Sequence, residues 1–184
     1  MLREKDLIKG CLKNDEKALD ELYKQFSSKL FGICLRYAKN KMEAEDLLHD
    51  GFIRVLDNLK HFRFEGAFEG WLRRIMVNTS INYYNKKGRH SEEIDMENLS
   101  ENMVFNDDIL SQISTKELLS IIQKMPKGYR MVFNLFAIEG YKHREIAEIM
   151  NISESTSKTQ FAKARKYLRV KILEDLNIAQ LQKN

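Results

Sequence analysis

The chain has 184 residues, of which 43% are hydrophobic and 32% charged, and its formal net charge is +4. This composition holds enough apolar material for packed cores and too little net charge for a disordered chain. Its single proline and eight glycines favour helix over strand, so we predict an all-α fold. No stretch approaches the roughly 20 apolar residues of a membrane span, and residues 1–17 lack the apolar core of a signal peptide. We expect a cytoplasmic protein without membrane insertion.

The first half of the chain contains three stretches with the apolar spacing of amphipathic helices. They cover residues 19–37, 44–59 and 68–83, after a shorter helix near residues 7–8. Asn14 or Asp15 can cap the first long helix. Gly51 interrupts the second at a cost of about 1 kcal/mol relative to Ala. The apolar stripe predicted to pack inward from this second helix consists of Ala44, Leu47, Leu48, Phe52, Val55, Leu56 and Leu59. We predict one bundle domain over residues 1–90.

The charges of the second half are unevenly distributed. Residues 90–108 contain seven acids and no Lys or Arg, and they are rich in Ser and Asn. This composition is typical of a solvated, flexible linker, which we place at residues 91–108. Helical spacing returns after it and breaks at Pro126, because the residue before a proline resists helix. We predict a second small helical domain over residues 109–184.

Residues 143–165 have the pattern of a helix-turn-helix. Asn151 tolerates the left-handed backbone of the turn, Ala147 is small enough for a helix crossing, and Ser153 can cap the second helix. Residues 155–173 carry six bases and no acid. Hydroxyls, an amide and cations suit a DNA major groove, although a basic helix is also a common solvated surface. The candidate DNA-binding residues are Ser153, Ser155, Thr156, Lys158, Thr159, Gln160, Lys163 and Arg165.

Two surfaces of the first domain carry binding signals. Ile53 lies among exposed charges, and an apolar residue there indicates a protein interface, for which the candidates are Asp46, Asp50, Ile53 and Arg54. The third helix has a polar face whose cations can follow a single-stranded backbone and whose Asn side chains can bind unstacked bases. The loop before this helix, residues 61–66, contains two aromatic residues that can line a pocket for an extruded base. The candidates for single-strand binding are Phe62, Phe64, Arg74, Asn78, Asn82 and Lys86.

Several segments resemble one known family. Residues 125–133 read MPKGYRMVF, residues 145–150 read EIAEIM and residues 162–166 read AKARK; they closely resemble region 4 of extracytoplasmic-function sigma factors. Residues 44–54, AEDLLHDGFIR, resemble region 2.2, and residues 67–83 resemble regions 2.3 and 2.4. The resemblance covers about 160 residues in two blocks in the family's order.

The resemblance implies a promoter-reading subunit of bacterial RNA polymerase. Region 2 of the family binds the β′ coiled coil of core polymerase and melts and reads the −10 element, while region 4 reads the −35 element and contacts the β flap. The resemblance also implies an anti-sigma factor as a partner. Ser157 departs from the family's pattern, which has a buried Val there, and Gln160 stands where the family often has Arg.

Other functions have less support in the sequence. A stand-alone helix-turn-helix regulator would share the second domain, and a degenerate sigma-like protein would only sequester partners. The nearest approach to a catalytic site is the cluster Glu43, Glu45, Asp46 and Asp50, which a metal-dependent nuclease could use, although acids at one-turn spacing are common on exposed helices. There is no phosphate-binding glycine loop or nucleophile elbow, and the two cysteines lack metal-ligand spacing. We expect no catalytic residues, no metal and no cofactor.

Overall fold

The computed structural model describes residues 3–86 and 113–181, with side chains described up to residue 175. The chain forms two compact units, Met1–Lys87 and Gly88–Asn184. The described residues form helices and no strand, which confirms the predicted all-α fold. The predicted linker, residues 91–108, lies outside the described residues.

The N-terminal unit consists of four α-helices and one short 3-10 turn. The helices are α1 (Glu4–Leu12), α2 (Glu16–Tyr37), α3 (Lys41–Asn58) and α4 (Phe68–Lys86), with the 3-10 turn at Leu59–His61. Asp15 caps α2, because its side chain accepts hydrogen bonds from the backbone N–H groups of Lys17 and Ala18. Asn14 has a φ of 56° instead and belongs to the turn between α1 and α2.

The helices α2, α3 and α4 pack on one another around a core that contains Phe68, Leu72 and Met76, all fully buried. Gly51 is buried where α3 crosses α4, and a Cβ atom there would overlap the Met76 Sδ and lie 2.7 Å from its Cε. The glycine therefore permits close helix packing. The inward placement predicted for Leu56 is wrong, because 42% of this side chain is exposed.

The described part of the C-terminal unit contains four α-helices. Within the described residues of this unit, 113–181, they are α5 (Thr115–Lys124), α6 (Lys127–Phe133), α7 (His143–Met150) and α8 (Glu154–Leu181), and α6 continues as a π-helical turn over Asn134–Ile138. The core joins α5, α6 and α8 through the buried residues Ile121, Ile122, Met125, Tyr129, Ala164, Tyr167 and Ile172. The Tyr167 hydroxyl donates to the Lys124 carbonyl at 3.1 Å, which satisfies the C-terminal end of α5.

Candidate nucleic-acid interface and protein-binding face

The outward face of α3 carries exposed apolar side chains beside acids. Asp46 and Asp50 are exposed, Arg54 is half-buried and Ile53 is 48% exposed. Met42 and Leu56 are 69% and 42% exposed. They lie 11 and 3 residues from Ile53, about three turns and one turn, so the three side chains share one side of the helix. The sequence indicated Ile53 as an exposed apolar residue but did not indicate Met42 or Leu56. Leu56 also fits the spacing of the apolar residues that pack inward, so its exposure could not be predicted.

The exposed side of α3 that these residues share is called the α3 face and consists of Met42, Asp46, Asp50, Ile53, Arg54 and Leu56. An exposed apolar stripe bordered by charges is typical of a surface that another protein covers. The α3 face therefore has the character of a protein-binding surface.

The loop before α4 holds an aromatic cluster. The ring of Phe62 lies 5.1 Å from that of Phe68 and 5.4 Å from that of Trp71, and Phe62 is half-buried. The ring of Phe64 lies 5.0 Å from Phe62, and 45% of the side chain is exposed. Phe62 thus supports Phe64 from the core side, and Phe64 is the member of the pair that offers its ring to solvent.

Phe64 also has an unusual backbone. Its φ is +59°, a left-handed conformation that costs a non-glycine residue about 1–2 kcal/mol. A bulky residue with positive φ is held there by its surroundings, and such residues cluster at functional sites. The loop therefore presents an aromatic ring in a conformation that local preference disfavours.

One row of polar side chains follows α4. Arg74, Asn78, Asn82 and Lys86 are all exposed and succeed one another every four residues, so they lie along one side of the helix over about 18 Å. Thr79 and Ser80, which do not belong to this row, are buried, and each hydroxyl donates to the carbonyl four residues earlier. The row has a cation at each end and two amides between them, a combination that can bind phosphates and unstacked bases.

The helix-turn-helix of the C-terminal unit has the predicted turn and cap. Asn151 is left-handed with φ 51° and ψ 55°, and the Ile152 N–H donates to the Ala147 carbonyl at 3.0 Å. The Ser153 Oγ accepts a hydrogen bond from the Thr156 N–H at 3.0 Å, which starts α8. Both local predictions are confirmed.

The first part of α8, the recognition helix, exposes most of the candidate DNA-binding residues. Thr156 and Gln160 are half-buried. The Lys158 Nζ lies 2.6 Å from the Glu154 carboxylate, and this hydrogen bond holds the pKa of Glu154 below its usual value. The Arg165 guanidinium lies 6.0 Å from the centre of the Phe161 ring. The exposed candidates are Ser153, Ser155, Lys158, Thr159, Lys163 and Arg165.

Gln160 lies between α8 and α6. Its amide packs against the backbone of Gly128, where a Cβ atom would approach the Gln160 Nε2 to 3.1 Å. Its Oε1 is buried and has no hydrogen-bond partner among the described residues. The Gln160 Oε1 would have to leave this position before it could accept a hydrogen bond from a base.

A polar pair with one buried member lies behind the exposed face of the recognition helix. Ser157 is fully buried, and its Oγ lies 2.9 Å from the Nδ1 of His143 in the first turn of α7. The His143 ring stacks on Phe136 at 4.2 Å between centroids. Sequence reasoning noted a serine where the family has a buried valine, but it missed the histidine that binds this serine.

Family models match both units. Residues 22–90 match Sigma-70 region 2 and residues 115–168 match Sigma-70, region 4. The first match contains α3, the aromatic loop and α4, and the second contains the helix-turn-helix. The chain is a sigma factor of the sigma-70 family. Its relatives place it in the extracytoplasmic-function group, and the comparisons do not support the stand-alone regulator.

Relatives align with the sigma factor over nearly their whole length. The ECF RNA polymerase sigma-E factor of Haemophilus influenzae is 29% identical over 182 residues, covering 93% of this chain and 96% of its own. The sigma-E factor of Escherichia coli K12 is 28% identical over 182 residues, with coverage of 93% and 95%. The RNA polymerase sigma-H factor of Pseudomonas aeruginosa is 26% identical over 174 residues, with coverage of 89% and 90%.

Solved structures with detectable similarity include two complexes. CnrH in complex with the cytosolic domain of CnrY is 20% identical, with coverage of 92% of this chain and 96% of that one and a TM-score of 0.45. The sigma factor RpoE in complex with the anti-sigma factor NepR from Bartonella quintana is 17% identical, with coverage of 86% and 98% and a TM-score of 0.49. Within the described part of this sigma factor, no helix is long and apolar enough to cross a membrane.

Proposed function

We propose that this sigma factor binds core RNA polymerase and directs promoter recognition and transcription initiation without catalysis of its own. One observation carries the proposal: the same chain combines an exposed polar row on α4 with a capped helix-turn-helix in a separate unit. The first suits single-stranded DNA and the second suits a duplex. We assign region 2 to residues 1–90, the acidic linker to residues 91–108 and region 4 to residues 109–184.

The α3 face is the proposed contact with the β′ coiled coil of core polymerase. Ile53, Met42 and Leu56 expose apolar surface that costs free energy in water and is removed from water when a partner covers it. Asp46 and Asp50 border the stripe and supply charge that orients the partner. Region 4 is proposed to contact the β flap, and an anti-sigma factor is proposed as a further partner. The place of action is the cytoplasm.

Region 2 is proposed to capture the melted −10 strand. Extruding a base from a duplex costs a few kcal/mol, and stacking of one base on an aromatic side chain returns about 1–3 kcal/mol. Phe64 exposes its ring for such stacking, and the ring of Phe62 packs against the Phe64 ring. Arg74, Asn78, Asn82 and Lys86 would then hold the adjacent backbone and bases.

Region 4 is proposed to hold the −35 duplex with the recognition helix. Lys163 and Arg165 are exposed cations for phosphates, and Ser155, Thr156 and Thr159 offer hydroxyls to base edges. Ser153, Lys158 and Gln160 complete the proposed set. Binding to duplex DNA by the sigma factor alone should be weak and should fall steeply with salt, because each phosphate contact adds about 0.9 to the slope of log affinity against log salt.

The polymerase contact can be tested by measuring the affinity of the labelled full-length chain for sigma-free core polymerase. We expect Ile53→Asp and Leu56→Asp to weaken binding at least about tenfold, because each buries a charge in the proposed interface. Leu12→Asp is the matched control, since Leu12 is 50% exposed on α1 and lies outside the α3 face. Equal affinities for the three variants, or no association of the unmodified chain with core polymerase, would refute the assignment.

A further inference from the structure

The first helix, α1, lies outside the residues that match the region 2 model, 22–90, yet it is firmly packed. Leu7, Ile8 and Cys11 are buried, with at most 4% of each residue exposed. The helix contacts α2 and also the 3-10 turn Leu59–His61, which leads into the aromatic loop. The position of α1 relative to the loop is therefore fixed by the core.

This packing brings a cation to the exposed aromatic ring of the loop. The Lys5 Nζ lies over the Phe64 ring, 6.0 Å from its centroid, which is at the outer range of a cation–π interaction. Lys5 is itself exposed, so its ammonium remains available to a ligand on the same ring. The ring of this left-handed residue thus contacts Phe62 within its own loop and Lys5 on α1.

We propose that Lys5 is a positioning residue of the single-strand site, which orients Phe64 and binds the phosphate of the nucleotide stacked on it. The inference rests on the proposed function of region 2. The ligand is a single-stranded deoxynucleotide segment, whose base needs an aromatic face and whose phosphate needs a cation. A lysine suits this role, because its long stem and three donors let the ammonium turn from the ring to a neighbouring phosphate.

The test uses the full-length chain assembled with core polymerase. The probe is a fluorescent single-stranded oligodeoxynucleotide carrying the non-template −10 sequence of a promoter that this holoenzyme transcribes. We expect Lys5→Gln to lower its affinity about fivefold and to reduce the slope of log affinity against log salt by about 0.7, the value for one phosphate contact on a single strand. Lys5→Arg should retain both values.

Lys13→Gln is the control, since it removes the same charge from an exposed lysine directly after α1. An unchanged salt slope in Lys5→Gln, or equal affinities for Lys5→Gln and Lys13→Gln, would overturn the role of Lys5. Phe64→Ala separates this failure from a failure of the proposed function. If Phe64→Ala loses probe binding while Lys5→Gln does not, only the inference on Lys5 fails; if Phe64→Ala also binds normally, the proposed base-stacking site fails.

Discussion

The Nδ1 atom of His143 lies 2.9 Å from the Oγ atom of Ser157, and this contact joins the start of α7 to the buried side of the recognition helix. Ser157 is fully buried, so its hydroxyl needs a partner within the protein. The stack of His143 on Phe136 fixes the imidazole that provides it. The pair therefore holds the recognition helix at one rotation about its axis, with Ser155 and Thr159 exposed.

Substitutions of His143 and Ser157 should each destabilise region 4, and their effects on the unfolding free energy should not be additive. We expect Ser157→Ala to cost about 1 kcal/mol of unfolding free energy, and His143→Phe to cost about 1–3 kcal/mol because it leaves a buried hydroxyl unsatisfied. The double variant should cost less than the sum of the two. Urea unfolding followed by circular dichroism measures all three. Additive costs would show that the two side chains do not interact.

Substitution of two helical glycines should have opposite effects. Gly51→Ala should destabilise the protein by about 1 kcal/mol, because overpacking against Met76 costs about 1–3 kcal/mol while helix propensity recovers about 1. Gly70→Ala should stabilise it by about 0.5–1 kcal/mol, since Gly70 is exposed in α4 and its Cβ would meet nothing within 4 Å. Thermal unfolding of both variants provides the measurement. A stabilising Gly51→Ala would contradict the packing described for α3 and α4.

The contribution of Glu117 to stability should depend on pH. Glu117 and Ser114 form a capping box at α5, and the hydrogen bond from the Ser114 backbone N–H lowers the pKa of Glu117 below its ordinary value of 4.5. Because the folded-state pKa is the lower one, this stabilisation is fully present above pH 4.5 and is lost as the pH falls through the folded-state pKa. Glu117→Ala should therefore shift the urea midpoint more at pH 7 than at pH 3.

Glu117→Gln is the control for this pH dependence. Glutamine can take the same place in a capping box and does not titrate, so Glu117→Gln should shift the urea midpoint less than Glu117→Ala, and the difference between the two variants should be the same at both pH values, because neither replacement titrates. Equal shifts at pH 7 and pH 3 for Glu117→Ala would show that the carboxylate contributes nothing through its charge.

Two neighbours on the recognition helix should affect DNA reading differently. Thr159 is exposed, whereas the Gln160 amide packs on Gly128. We expect Thr159→Ala to change the base preference within the −35 element by a factor of about 5 at one position, the low end of the range for a lost base contact, because a hydroxyl makes only one such contact. Gln160→Ala should alter that preference less. Transcription from a library of randomised −35 sequences compares the two variants, and a larger change for Gln160→Ala would mean that its side chain leaves Gly128 to read a base.

Features set by neighbouring residues could be predicted from the sequence. The left-handed turn at Asn151 and the caps at Asp15 and Ser153 depend on a few adjacent residues, and the structure has them where the sequence indicated. The amphipathic spacing likewise located the helices to within a few residues. Local chemistry was sufficient for the fold class and for the helix-turn-helix.

Features set by packing between elements could not be predicted in the same way. Leu56 fits the inward spacing of α3, but it lies at the edge of the apolar stripe and the neighbouring helices leave it exposed. The approach of Gly51 to Met76 and the bond between His143 and Ser157 join residues that are 25 and 14 positions apart. Such contacts depend on how the helices cross, which periodicity does not specify.

We propose that this sigma factor directs core polymerase to start transcription at defined promoters. The most direct measurement mixes the purified chain with sigma-free core polymerase and a pool of genomic promoter fragments from its host, and sequences the transcripts. We predict defined start sites only when both proteins are present, loss of these transcripts with Asp50→Lys on the α3 face, and normal transcription with Asp175→Lys, which alters an exposed acid in the other unit. Absence of defined start sites when the unmodified chain and core polymerase are mixed would show that the chain does not act as a sigma factor for this polymerase.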